Sequence, residues 1–214
     1  MFDLVIFDLD GTLVDSAPDI AAALDATLGD LGLPTLGVDR VRGIVGDGAT
    51  RLVERALPAG AAARLDVAAV VARFRERYAA HLYERTRPYP GIAEVLAAMA
   101  ARAVVLTNKP GDLARALLDG LGLSERFFEV IGDGDGFPRK PAPDAAQAVA
   151  ARVGATADRI LVVGDGLPDL RLGPALGAAV AAAAWGYVAR SDLAAENPRW
   201  LLDNPLQLLA ILAG

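Results

Sequence analysis

The stretch Val5 to Ser16 reads VIFDLDGTLVDS. Its apolar start extends back to Leu4 and runs unbroken to Phe7; such continuity, in place of alternation, marks a strand buried on both faces of a parallel sheet. Asp8 and Asp10 follow at once. Clusters of Asp and Gly after a strand ordinarily build a turn, but the carboxyl ends of the strands are also where open α/β sheets bind ligands. Side chains two apart on extended backbone share a face. The two carboxylates would therefore crowd one another and require a shared proton, a lysine or a metal. A calcium loop counted from Asp8 fails, because Leu13 falls where the sharp turn needs Gly and Asp19 where the loop prefers Glu.

Four more apolar runs share this character: Ala103 to Leu106, Glu129 to Ile131, Ile160 to Val163 and Ala178 to Ala183. Helical spacing separates them, as in Ile92, Val95, Leu96 and Met99, or Leu113, Leu117, Leu118 and Leu121. Strand alternating with helix predicts an α/β fold with a doubly wound, mainly parallel sheet. The interval between the first two strands, residues 16–87, is too long for one crossover and shows only helical signals. It predicts a helical cap domain inserted into an α/β core formed by residues 1–15 and 88–214. Ser16-Ala17-Pro18-Asp19 has the spacing of a capping box, ahead of a helix that buries Ile20, Leu24, Leu28 and Leu31. A later helix carries Val67, Val70, Val71, Phe74, Tyr78 and Leu82. Pro88-Tyr89-Pro90-Gly91 is a stiff return to the core, so Leu13 to Ser16 and Arg87 to Gly91 are the expected hinges.

The 214 residues are 54% hydrophobic, enough for a well-buried core. A net charge of −6 with no basic block speaks against a nucleic-acid surface or an anionic-membrane anchor. The absence of Cys excludes disulfides and thiolate metal sites. No basic leader precedes Leu4, and the long uncharged run Gly173 to Ala189 is rich in Ala and Gly and shorter than the ~20 apolar residues of a spanning helix. The expectation is a cytoplasmic protein, monomer or homodimer.

DLDGTLVDS is similar to the first signature of the haloacid dehalogenase superfamily, whose phosphatases share a D-x-D-G-T core. Three later segments fit the other signatures in order: AVVLTNKP ending at Pro110 with Thr107, RKPAPD from Arg139 with Lys140, and ILVVGDGLPDL from Ile160 with Asp165 and Asp169. The resemblance spans essentially the whole chain, cap included. It implies a Rossmann-like core and Mg²⁺-dependent hydrolysis of a small phosphomonoester. Asp8 would be the nucleophile that forms an aspartyl-phosphate. Asp10 would protonate the leaving alcohol and then activate water. Asp8, the backbone carbonyl of Asp10 and Asp165 would hold Mg²⁺, which suits an oxygen-only site. Asp169 is a further ligand, an acceptor for a metal-bound water, or an acid answering its helix dipole. Thr107 and Asn108 would donate to phosphoryl oxygens. Gly166 stands where the signature commonly has Ser, which removes a hydroxyl but no metal ligand.

Of 21 basic residues only two are Lys, Lys109 and Lys140, and both fall in signature loops. Their retention suggests that a compact ammonium is wanted there. Lys140 is expected to pair with Asp8 and the phosphate; Lys109 reads equally as a surface residue ahead of Pro110 or as a substrate contact. In the cap, IVGDGATRLVERAL from Ile44 to Leu57 is similar to the corresponding segment of the phosphoglycolate phosphatase subfamily. That likeness implies that Gly48, through its N–H, and Arg51, through its fork, bind a small anionic leaving group, with 2-phosphoglycolate as the first expectation. A plain glycine turn with Arg51 in solvent is the alternative. Sugar phosphates, a pyrophosphate or mutase chemistry remain open on the same core. The cap has no Lys for the Schiff base of a phosphonate-cleaving relative. His81 reads as structural or surface, and Asp133-Gly134-Asp135-Gly136 as a turn.

Overall fold

The computed structural model describes residues 2–213. Strand β1 (Leu4–Phe7) leads to a short ribbon strand β2 (Val14–Asp15), followed by helices α1 (Ala17–Asp30), α2 (Gly37–Arg42), α3 (Ala49–Ala56) and α4 (Val67–Ala80). The chain returns through β3 (Arg87–Pro88) and α5 (Ile92–Ala98) to β4 (Arg102–Pro110), α6 (Gly111–Gly120) and β5 (Glu129–Asp133). It continues as α7 (Asp144–Val153), β6 (Ile160–Gly164), α8 (Leu167–Leu176), β7 (Ala179–Ala183), α9 (Arg190–Ala195), β8 (Trp200–Leu202) and α10 (Leu208–Ala213). The main sheet has the order β5-β4-β1-β6-β7-β8, and every neighbouring pair is parallel. β1 is therefore central, and the order reverses beside it, which makes the crevice beyond its carboxyl end the natural ligand site.

Alternate residues of β1 enter two cores. Val5 and Phe7 pack toward α1, α5 and α6, while Leu4 and Ile6 pack toward α7 and α8. All four are essentially inaccessible to solvent, which is why this strand shows no polar alternation. Two features of the sheet depart from expectation. β8 is a sixth, three-residue strand at the edge, too short for periodicity to register. β4 runs on to Pro110 with a break in register after Leu106; the irregularity turns Thr107 and Lys109 toward the crevice, as bulges beside sites commonly do.

β2 and β3 form an antiparallel ribbon, Val14 opposite Pro88 and Asp15 opposite Arg87, that frames the four helices α1 to α4. The helices share one apolar cluster with the sheet, from Phe7, Leu9 and Leu13 through Leu24, Val53 and Phe74. The expected capping box at Ser16 does not form. The Ser16 hydroxyl donates to Asp10 Oδ1 at 2.5 Å, and buried Asp19 accepts from the N–H groups of Arg85 and Thr86 and from the Thr86 hydroxyl. The opening N–H groups of α1 go instead to the phenol oxygen of Tyr187, from Ser16 at 2.9 Å and Ala17 at 3.0 Å. His81 lies exposed at the end of α4, 2.6 Å from Glu84. Among the described residues no helix is long and apolar enough to cross a membrane.

Candidate active site

The backbone N–H of Asp8 donates to the carbonyl of Val163 at 2.9 Å, so the sheet ladder extends one residue past β1 and aims the carboxylate into the crevice. Asp8 Oδ1 accepts from the Leu9 N–H at 2.7 Å and lies 2.9 Å from Lys140 Nζ. That ammonium is also 2.6 Å from Asp169 Oδ1. Burial alone would lower the pKa of Lys140, but the charges of Asp169 and Asp8 outweigh it and the net shift is upward. The ammonium stays charged and bridges the two carboxylates.

Oxygens of Asp8, Asp165 and Asp169 lie within 4.8 Å of one another, and all three residues are well covered. Asp165 is gripped by the Thr12 hydroxyl and the Tyr187 N–H, each donating at 2.8 Å. A methyl group on Gly11 would stand 2.2 Å from Asp165 Oδ2, and one on Gly186 2.3 Å from Asp165 Cβ. Gly11 also has φ +85°, where a side chain is strained. These glycines are small because the carboxylate occupies the space. Burial, with the Asp8 charge second, pushes Asp165 up to about 8. The same two causes push Asp169 up to about 7 against the opposing pull of Lys140. Buried carboxylates crowded this closely are an all-oxygen donor set of the kind hard divalent cations occupy. The residues present thus fit Mg²⁺.

Asp10 is held separately. Lys109 Nζ bonds both of its oxygens, at 2.9 and 3.1 Å, and the Tyr78 hydroxyl at 2.7 Å. Lys109 is buried, and its ammonium also lies 4.5 Å from the centroid of the Tyr78 ring. Tyr78 stacks on Phe74 one turn earlier in α4, at 5.9 Å between centroids. Each of the two lysines of the chain therefore serves one of the two aspartates that follow β1.

Residues 2–177 match the model of the haloacid dehalogenase-like hydrolase family. The chain belongs to this family. A phosphoglycolate phosphatase of Pseudomonas syringae pv. tomato is 40% identical over 217 residues, which cover 96% of this chain and 78% of that protein. One from Haemophilus influenzae is 34% identical, covering 99% of this chain and 98% of its own. The solved structure of a predicted phosphoglycolate phosphatase from Haemophilus somnus superposes with a TM-score of 0.91 at 30% identity, over 98% of this chain and 97% of that one.

In this haloacid dehalogenase-like hydrolase, Asp8, Asp10, Thr107, Lys109 and Gly48 line one cleft. Asp8, Asp10, Lys140, Asp165 and Asp169 line a second. Two residues expected to bind an anion are engaged with protein partners. Asn108 spends its amide N–H groups on the carbonyls of Gly46, at 3.0 Å, and Lys140, and its carbonyl accepts from the Lys140 N–H at 2.9 Å. It thus ties the cap to the Lys140 loop. Arg51 points to solvent and pairs with Glu54 at 2.7 Å, its side chain 64% exposed. Asp169 accepts from the Gly166 N–H at 3.1 Å, the bond expected of an acid in a first helical turn, as well as belonging to the carboxylate cluster. Sequence reasoning missed Thr12, Tyr78 and the Trp185-Gly186-Tyr187 segment as parts of the site. Trp185 Nε1 donates to the Thr12 carbonyl at 3.0 Å, so the segment braces both the metal-type cluster and the entry to α1. Two large aromatics flanking a glycine were the available signal.

Proposed function

We propose that this hydrolase cleaves a small phosphomonoester through an aspartyl-phosphate on Asp8, with Mg²⁺ as cofactor and 2-phosphoglycolate as substrate. The family and the relatives make the chain a phosphoric monoester hydrolase. One observation carries the mechanism: Asp8 ends the central strand with a buried ammonium 2.9 Å away on one oxygen and two further buried carboxylates beside it. An Asp8 oxygen attacks phosphorus, the bond from phosphorus to the leaving oxygen breaks, and Asp10 gives that oxygen its proton. Water then attacks the acyl phosphate, Asp10 takes the water proton, and Asp8 is released with inorganic phosphate. Lys140 and the Thr107 hydroxyl hold charge on the transferring group. Asp8, Asp165, Asp169 and the Asp10 carbonyl would hold Mg²⁺, which when bound neutralises phosphoryl oxygens.

We place the cap at residues 16–87, moving on the Val14–Asp15 and Arg87–Pro88 ribbon to shut water out of the site. The substrate assignment rests on the relatives and on the narrow cleft beneath that cap. Assay of the purified protein with 2-phosphoglycolate, sugar phosphates and pyrophosphate, with Mg²⁺ or chelator, tests it. The expected result is Mg²⁺-dependent release of phosphate with the highest kcat/KM on 2-phosphoglycolate. Preference for a sugar phosphate would displace that substrate and leave the phosphatase in place.

A further inference from the structure

Two clefts meet at Asp8 and Asp10. The one with Lys140, Asp165 and Asp169 is the phosphoryl side. The other runs under the cap and is walled by Ile20, Val45, Leu52, Phe74 and Leu113, so it receives whatever leaves with the ester oxygen. Among the described residues lining the cleft under the cap, Lys109 is the single positively charged side chain. Arg51 does not line it and is occupied with Glu54 at the surface. A carboxylate carried into such apolar surroundings requires a paired cation. The Lys109 ammonium touches both Asp10 oxygens; when Asp10 carries the proton it gives to the departing oxygen, one of those N–H groups is released to a carboxylate only a carbon or so from that oxygen. Tyr78, on cap helix α4, fixes the ammonium from the other side at 2.7 Å. The cation is thus rooted in the sheet and positioned by the cap.

We propose that Lys109, steadied by Tyr78, recognises the carboxylate of the leaving group and so selects phosphoesters that carry one close to the ester oxygen. The inference rests on the phosphatase reading above. A competing role, in which Lys109 does no more than neutralise Asp10, predicts the same loss for every substrate. The test compares kcat/KM for 2-phosphoglycolate and for 2-hydroxyethyl phosphate, in which a neutral hydroxymethyl group replaces the carboxylate, in wild type, Lys109→Met and Lys109→Gln. Lys109→Met is expected to cost the carboxylate substrate about 10- to 100-fold more than its neutral counterpart, mainly through KM. Lys109→Gln keeps a donor for Asp10 and is expected to lose the preference equally; it carries the test should the Met variant not fold. Tyr78→Phe should erode the preference less. Equal losses on both esters overturn the proposal. If wild type disfavours 2-phosphoglycolate, the pair 3-phosphoglycerate and glycerol 3-phosphate decides: a Lys109-dependent preference for the acid sinks glycolate alone. No preference for either acid in wild type sinks the role of Lys109 too.

Discussion

Asp165 and Asp169 hold their protons well above the range of an exposed carboxylate, at about 8 and about 7, because burial and then the Asp8 charge disfavour ionisation. An unfolded Asp titrates near ~3.9. Between that value and the folded ones the native state binds more protons than the unfolded chain, so stability without metal falls as pH rises through this window. Metal binding draws on the ionised forms. Added Mg²⁺ is therefore expected to raise the Tm more at about pH 8 than at about pH 5; an equal rise at both, read by scanning calorimetry, would contradict the assignment. Gly186 provides a second check at this scale. A methyl there meets Asp165 Cβ at 2.3 Å, so Gly186→Ala should raise the Mg²⁺ concentration for half-maximal activity by about 10-fold or more. An unchanged requirement would show that the carboxylate can shift without cost.

Helix α1 depends on a residue far from it in the chain. The Tyr187 hydroxyl accepts from Ser16 and Ala17 and donates to Asp15 Oδ1 at 3.1 Å. Tyr187→Phe is expected to cost about 1–2 kcal/mol in urea unfolding; no loss would mean that water caps the helix as well. The local sequence pointed to Ser16 for this task, and no nearby residue discloses that its hydroxyl is drawn to Asp10 instead. The signature loops were easier to read, because Asp8 and Asp165 each directly follow a buried strand whose apolar run shows its end. The partners of Arg51 and Asn108 are not written in their spacing, because which side of a cap helix or strand end meets the crevice is set by how cap and core dock. That docking includes Arg139, whose guanidinium reaches the Asp47 carbonyl at 3.4 Å and Asp133 at 2.8 Å. Cysteines introduced at positions 47 and 139 are unique in a chain without Cys and can be joined by a flexible bis-methanethiosulfonate crosslinker. Crosslinking should lower kcat by about 10-fold or more, recovered on reduction; full turnover in the crosslinked form would remove cap movement from the mechanism.

Across the whole molecule the parallel sheet and its insertion were legible, since doubly buried strands and amphipathic helices write different periods into the sequence. The three-residue edge strand β8 and the two-residue ribbon strands β2 and β3 were too short to show. The apolar cluster that joins Phe7 and Leu13 to Leu24, Val53 and Phe74 makes cap and core one packing unit, although the ribbon between them is two residues wide. Thermal unfolding is expected as a single transition with matching calorimetric and van't Hoff enthalpies; two resolved transitions would mean that the cap melts alone. In the proposed mechanism all of these devices converge on one covalent event at the end of β1. Mixing the enzyme with Mg²⁺ and 2-phosphoglycolate, quenching in acid and weighing the peptide that holds Asp8 tests that event directly. The predicted result is a phosphoryl group on Asp8 in wild type and none in Asp8→Asn, which should also be inactive. Turnover without that adduct, or an Asp8→Asn enzyme of full activity, would contradict the mechanism.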